Sequence, residues 1–495
     1  MNYRLVFRAV GMMVLLLAVA MALSLVLGYA LTPEAGRNSE GTSLKGWEIS
    51  VSVTLIFGAL LFFLGRPVGD QSILRKDAMG IVGIGWIVCS VFASLPYFFC
   101  DPGLKWAEAL FEGVSGLTTT GATVFSDLAP VPKTVLLWRS MTQWLGGMGI
   151  IAMFVLISAS LGGSGKNLFK NESSISANEI LGASMRRTVR WLWGLYVSLT
   201  VICFSGLLFS DMSLFQAINH SLTTVATGGF GTENTSIDGF GLFTRSWIIA
   251  FMFLCGISFP LHLALVVKKD WKLLKTYEEA WVFALLVLVA GLAIFGLRSS
   301  HGDVSDPVVE EVVGTVFNVV AISTGTGYAV GDYDAWPVLA KGALLVLMVI
   351  GGCTGSTSGG LKVGRMIMLV KVLHGEVLKA FRPNLVLRFR LNGRDHPSGE
   401  NGRLLALLGA AVLSGVLGSF LFIALEPDRS TFGCVSAVVS CLSNTGPAFA
   451  EFGPTQNYAG LGAPTMVLSA FLMVLGRLEY ISLLVLFSWR LWKPF

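Results

Sequence analysis

Charge is what this 495-residue sequence has least of. Only 13% of its residues are Asp, Glu, Lys or Arg, and there are five histidines. Soluble proteins carry roughly a quarter charged residues, so this chain lacks the side chains needed to cover a water-facing surface, and a soluble enzyme is excluded. The seven cysteines form no CxxC pair and several lie inside apolar segments, which argues against a zinc site or a disulfide framework. There is no GxxxxGK[ST] phosphate loop. No basic run interleaved with aromatics is present, and the net charge of +5 is small and dispersed, so nucleic acid is not an expected partner. Paired His/Asp/Glu groups or a nucleophile–base pair within the apolar segments are also missing. The chain reads as no enzyme.

What it has is apolar length. Hydrophobic residues make up 54% of the chain and the mean hydropathy is +0.72. Runs of about 20 apolar residues mean transmembrane helices. They occur at 9–31, 47–64, 78–99, 134–161, 189–209, 243–267, 280–297, 337–350 with an uneven continuation to 373, 403–425 and 463–489. The first is too long for the apolar core of a signal peptide and is expected to be a span. Lys and Arg favour cytoplasmic segments. With the N-terminus inside, 25 of the 35 basic residues fall on the inner side, and ten spans return the C-terminus to the cytoplasm. Four shorter half-polar segments, near 105–119, 213–226, 310–325 and 431–445, then enter from the outside and return.

The sequence is also rich in glycine, with 57 residues in a chain expected to be mostly helix. Each of the four short segments ends on a Thr-Gly dipeptide: Thr120-Gly121, Thr227-Gly228, Thr326-Gly327 and Thr445-Gly446. The spacing is close to 110 residues, and each unit reads as span, short helix, Thr-Gly loop, span. A dehydrated monovalent cation needs rings of oxygens in place of its water, and backbone carbonyls supply them without net charge. Glycine permits backbone conformations that a Cβ forbids. The four loops, with Thr119, Ala226, Gly325 and Asn444 preceding the dipeptides, are therefore expected to form a filter. Asn444 and Pro447 make the fourth loop unlike the others, so discrimination against sodium is expected to be weaker than in a symmetric tetramer. The parallel orientation of the units favours a pore over an alternating-access transporter. A secondary transporter coupling the cation to H⁺ or Na⁺ is the alternative.

A second glycine cluster interrupts the inner span of the third unit. Residues 351–360 hold Gly351, Gly352, Gly355, Gly359 and Gly360 among four Ser/Thr. At about 1 kcal/mol per helical glycine, regular helix is not expected there. Counting ~1.5 Å per residue from Pro337 puts this stretch about 21 Å down, below the filter. Arg477, at the same offset in the fourth unit, is a charge at mid-membrane and a functional candidate by default; pairing with Glu479 is the plainer alternative. Asn219 and Asn318 are placed to brace short helices, Asp127, Glu233, Asp332 and Glu451 lie just beyond the loops, and Pro260 is expected to kink its span. His220 and His262 read as structural residues.

The four loops, the stretch from Gln143 to Gly149 (QWLGGMG), that from Gly351 to Lys362 (GGCTGSTSGGLK) and Gly476 to Glu479 (GRLE) together resemble the potassium transporter superfamily that includes TrkH, KtrB and the plant high-affinity potassium transporters. Two extra N-terminal spans bring it nearer the TrkH branch. The resemblance implies an all-α polytopic membrane protein. Its parts would be two leading helices (1–70) and four span–pore-helix–span repeats around a pseudo-fourfold pore (71–185, 186–275, 276–395, 396–495). It implies K⁺, and possibly Na⁺, as the transported ion at the filter carbonyls. It further implies a gate made of the 351–360 loop with Arg477 as an electrostatic barrier. The setting would be a bacterial inner membrane, with both termini cytoplasmic. The implied partners are a second copy in a homodimer and a cytoplasmic nucleotide-binding regulatory subunit of TrkA type docking near the basic segment 374–402. That segment is equally suited to lie on anionic lipid.

Overall fold

In a computed structural model, residues 2–32, 37–65, 75–101, 103–147, 149, 185–302, 307–382, 384–385, 387–396 and 401–492 are described. The first elements are α1 (Tyr3–Ala30), α2 (Arg37–Leu64), α3 (Arg75–Ala93), α4 (Leu95–Phe99), α5 (Trp106–Leu117) and α6 (Lys133–Gly147). They continue as α7 (Met185–Leu208), α8 (Leu214–Val225), α9 (Leu242–Gly256), α10 (Phe259–Val267), α11 (Lys272–Thr276) and α12 (Glu278–Ser300). Next come α13 (Val308–Ser323), α14 (Val338–Ile350), α15 (Val363–Phe381), β1 (Phe389–Leu391) and β2 (Arg394–His396). The chain closes with α16 (Asn401–Leu425), α17 (Thr431–Ser443), α18 (Ala463–Arg477), α19 (Ile481–Leu484) and α20 (Trp489–Trp492). The chain is a helical, multi-span membrane protein. The one strand pair among the described residues is the antiparallel hairpin β1–β2, an addition to the all-α expectation in the basic segment.

Among the described residues six helices are long and apolar enough to cross a membrane, seven if the bent pair α9–α10 is one span. Three expected spans are shorter than their apolar runs. Helices α9, α14 and α18 have 15, 13 and 15 residues, too short at ~1.5 Å per residue to cross a ~30 Å core alone. The run 243–267 is one apolar stretch by sequence, yet α9 and α10 meet at 94°. Pro260 in the first turn of α10 has no N–H to continue the ladder. The run 463–489 stops being regular helix at Arg477, where Glu479 and Tyr480 take left-handed φ values of 53° and 63°. The expected continuation of α6 beyond 149 lies outside the described residues.

The four short segments are helices α5, α8, α13 and α17, and local chemistry starts them. Ser213 and Ser430 cap α8 and α17 by accepting from Gln216 N and Gly433 N. Glu108 and Gln216 reach back and accept from the backbone N–H of Lys105 and Ser213, giving acceptors to donors that a helix start leaves unsatisfied. These helices are walled in by the longer ones. The leading helices α1 and α2 pack against each other through small residues. A Cβ on Gly11 would lie 2.5 Å from Phe62 N, and one on Gly58 3.0 Å from the Leu15 side chain. Close backbone approach is how apolar helices associate where solvent gives no drive.

Gly11→Leu is therefore expected to lower stability by about 1–3 kcal/mol, seen as a lower midpoint of thermal unfolding in detergent. Gly194→Leu, on a surface with nothing within 4 Å, is expected to leave that midpoint unchanged. Equal midpoints for the two variants contradict the packing.

Candidate functional site: four loops and the segment beneath them

The four short helices end in the same way. The last turn leads to a residue with left-handed φ: Thr119 at 54°, Thr227 at 51°, Gly325 at 66° and Asn444 at 53°. The next N–H turns back to the carbonyl five residues earlier. Thr120 donates to Ser115 at 2.9 Å, Gly228 to Thr223 at 2.9 Å, Thr326 to Ala321 at 2.8 Å and Thr445 to Ser440 at 3.1 Å. A glycine with positive φ follows: Gly121 at 81°, Gly229 at 83°, Gly327 at 75° and Gly446 at 99°.

This backbone register corrects the alignment by dipeptide. In the second loop the residue equivalent to Gly121, Gly327 and Gly446 is Gly229. Gly228 takes the place of Thr120, Thr326 and Thr445, and Thr227 that of Thr119. Ala226 thus lies one residue before the position of Thr119, Gly325 and Asn444. The consecutive pair Gly228-Gly229 hid the shift, because a Thr-Gly dipeptide marks the wrong glycine there.

The loops meet one another in a cycle. A Cβ added to Gly121 would run into the carbonyl oxygen of Gly228, and one on Gly229 into that of Thr326. One on Gly327 would meet the Thr445 carbonyl, and one on Gly446 the Thr120 carbonyl. Each glycine thus faces the carbonyl of the next loop, and the fourth closes on the first. Asn444 Nδ2 reinforces that closure, donating to Thr120 Oγ1 at 3.0 Å and to the Met473 carbonyl at 2.9 Å.

Behind the loops lies a braced wall. Asn318 Nδ2 donates to the Val330 carbonyl at 2.7 Å and its Oδ1 accepts from Val330 N at 3.1 Å. Asn219 instead accepts from Ser140 Oγ at 2.7 Å. His220 bridges Tyr328 and Thr232 at 3.0 and 3.2 Å. Glu112, fully buried on α5, accepts from Arg139 Nε at 2.8 Å, from Val124 N at 3.0 Å and from the Thr123 hydroxyl. Arg139 also donates to the Gly231 carbonyl at 3.1 Å and stacks 4.1 Å over the Phe230 ring. Of the outer acids, Asp127 reaches across to the second loop and Glu451 back to the start of its own short helix. Asp127 accepts from Asn234 at 2.8 Å, which holds its carboxyl below the usual range. Glu451 accepts from Ser430 Oγ at 2.7 Å. Partial burial pushes its carboxyl up, and the Ser430 contacts outweigh that.

On the other side of the ring, residues 351–362 leave the helix and pack directly against the loops. Positive φ at Gly351, Gly355 and Gly360 turns the chain. Gly359 lies under the Ser443 carbonyl and Gly352 beside that of Gly256, both too close for a Cβ. Thr357 Oγ1 accepts from the Thr227 hydroxyl at 3.2 Å and donates to the Val225 carbonyl at 3.3 Å. The segment also fills the break between α9 and α10: Cys353 N donates to Gly256 O at 2.9 Å and Phe259 N to Gly355 O at 3.0 Å. Arg477 reaches the same place, donating to Thr357 O at 3.0 Å and Gly146 O at 2.6 Å. Glu479 pairs with Arg365, while Arg477 binds these carbonyls.

Several residues here carried no earlier assignment. Glu279 accepts from Thr354 N and Asn392 Nδ2, both at 2.8 Å, and its own N–H donates to Asn392 Oδ1 at 3.1 Å. Asn392 is the turn of the β1–β2 hairpin, so the hairpin and the 351–362 segment share one carboxylate. Lys362 donates to the Ser358 carbonyl. In the sequence, the only signal for Glu112, Arg139 and Glu279 was a charge in or beside an apolar segment.

Fold and loops together define a polytopic membrane protein in which four helix ends meet, each loop's carbonyl lying against the glycine of its neighbour. The sequence profile of the TrkH family, described as a cation transport protein, matches residues 48–493. The chain is 30% identical over 496 residues to the Trk system potassium uptake protein TrkH of Halomonas elongata, and 31% identical over 501 residues to that of Salmonella typhimurium, with full coverage of both chains in each case. The crystal structure of the potassium transporter TrkH from Vibrio parahaemolyticus superposes with a TM-score of 0.85 at 29% identity, covering 100% of each chain. The chain belongs to the TrkH family of cation transport proteins.

Glu112→Ala would leave the Arg139 guanidinium buried without its carboxylate, which costs about 3–5 kcal/mol. Thermal unfolding in detergent is expected to show a large drop. Asp395→Ala, which breaks the exposed Arg390–Asp395 pair, is expected to change little. A Glu112→Ala effect as small as the Asp395→Ala effect contradicts the brace.

Proposed function

We propose that this protein is a potassium uptake pathway, with the four loops as its selectivity filter around a pseudo-fourfold axis. The observation that carries the reading is the cyclic seating of Gly121, Gly229, Gly327 and Gly446 on neighbouring carbonyls. A backbone ring of that kind replaces the water of a monovalent cation and leaves no room for side chains. The elements α3–α6, α7–α9, α12–α14 and α16–α18 are the four span–pore-helix–span repeats, and α1 and α2 are additions. K⁺ is the ion, as in the names of the relatives, with Na⁺ the poorer competitor because the loops are unequal. Membrane potential drives flux, and carboxylates such as Asp127 that are already ionised at neutral pH keep the outer mouth negative.

The 351–362 segment is the gate. It lies directly under the ring, and Arg477 adds a positive charge where a cation must pass. The basic segment with the β1–β2 hairpin is the place for a cytoplasmic nucleotide-binding regulatory subunit of TrkA type. Asn392 and Glu279 give that surface a hydrogen-bonded route to Thr354. The protein acts as a homodimer in a bacterial inner membrane, with both termini cytoplasmic.

In proteoliposomes, K⁺ uptake is expected to follow an imposed voltage and to be indifferent to a pH gradient. Obligatory movement of H⁺ or Na⁺ with K⁺ would identify a symporter instead. Arg477→Ala, or a deletion within 351–360, is expected to raise cation flux by about tenfold, equivalent to ~1.4 kcal/mol of barrier. Unchanged flux in both removes the gate.

A further inference from the structure

The second loop differs from the other three at one position, and the difference has a partner. Where loops one, three and four have Thr120, Thr326 and Thr445, loop two has Gly228. The place of the missing side chain is taken by Gln143 from α6. A Cβ on Gly228 would fall within the Gln143 side chain, whose atoms are its three nearest neighbours. Gln143 is fully buried. Its Nε2 donates to the Gly228 carbonyl at 2.6 Å and its Oε1 accepts from Phe230 N at 3.0 Å. One carboxamide thus spans Gly229, holding the residues on either side of it.

The equivalent position in the other repeats is informative. Gln143 lies ten residues after Lys133, the first residue of α6. Ten residues after the first residues of α9, α14 and α18 stand Met252, Met348 and Met473, all buried. Glutamine and methionine have the same unbranched length, but only glutamine donates and accepts through an amide. Threonine thus stands in three of the four loops and methionine in three of the four helices; the two exceptions, Gly228 in the loop of the second repeat and Gln143 in the helix of the first, are the residues that meet.

We infer that Gln143 is a positioning residue for ion selectivity: its carboxamide fixes the Gly228 carbonyl in the filter in place of the threonine that loop two lacks. This rests on the filter reading above. The Gly228 carbonyl faces Gly121 of the neighbouring loop, so moving it changes the spacing of the oxygens that meet the ion. Smaller ions tolerate a loosened ring better than K⁺ does, so the first property to change is discrimination, ahead of folding.

The test measures K⁺/Na⁺ permeability ratios from reversal potentials in planar bilayers or voltage-driven uptake in proteoliposomes, using the full chain. Wild-type protein must pass K⁺ in preference to Na⁺; failure there overturns the filter reading itself. Gln143→Met, which keeps length and bulk and removes the amide, is expected to stay folded and conduct with a ratio reduced about tenfold, the size of one buried hydrogen bond. A conducting Gln143→Met protein with the wild-type ratio overturns the proposal. Gly228→Thr alone is expected to abolish selective flux, since its side chain collides with Gln143. The double variant Gly228→Thr with Gln143→Met rebuilds the threonine and methionine of the other repeats. It is expected to recover a ratio within about twofold of wild type, relative to the ~10-fold loss in Gln143→Met. Absence of that recovery overturns the proposal even if Gln143→Met does not fold.

Discussion

A carbonyl in the hydrocarbon core must have a partner, because water is not there to provide one. Everything distinctive about this structure follows from that constraint. The chain leaves the helix at four places to present backbone oxygen, and each departure is over-determined by what surrounds it. Left-handed residues at 119, 227, 325 and 444 turn the backbone. N–H groups at 120, 228, 326 and 445 reach back to the helices, and the glycines that follow let the next loop's carbonyl approach. Ser115 Oγ and Ser440 Oγ take up the carbonyls of Ala122 and Gly446 on the outer side. The buried pair Glu112–Arg139 belongs to the same scheme, since between them they engage Val124 N and Gly231 O.

The inner half obeys the constraint differently. Helices α9, α14 and α18 stop after 13–15 residues, and each stop frees carbonyls that regular helix would have used. The freed groups answer one another: Gly256 with Cys353, Gly355 with Phe259, and Gly146 and Thr357 with Arg477. An arginine is suited to this role because its planar fork offers five donors to carbonyls that lie in different directions. The desolvation of its charge is offset in part by those bonds.

Hydropathy made the long helices legible, and length together with half-polar composition made α5, α8, α13 and α17 legible. The glycine-rich break at 351–360 was visible because helix propensity counts against it. Pro260 marks a kink after 257–258, but a hydropathy run carries no information about direction, so the size of the 94° turn does not show in it; at 478–480 Arg477 and Glu479 mark a charge within the run and not where the helix ends. The four loops marked by the dipeptides do meet one another, but in the second loop the dipeptide stands one residue out of register. There Gly228 and Gly229 are indistinguishable until φ is known. Gln143 stood inside a recognised stretch without a role, since nothing in a linear sequence pairs it with residue 228. The hairpin at 389–396 is short: Leu387, Phe389 and Leu391 alternate with arginines, and Phe389 and Leu391 pack against Met368, Val372 and Leu404, but three alternating apolar residues alone do not specify a strand pair.

Because the ring is closed by loops of a single polypeptide, a substitution enters it once. A channel assembled from four identical subunits receives every change fourfold, so its filter is held near one solution and intermediate versions are inaccessible. Here loop two has already diverged at Gly228, loop four at Asn444 and Pro447, and the ring still closes. In such a protein the ring is adjustable in quarter steps, one loop at a time, while the helices around it stay the same.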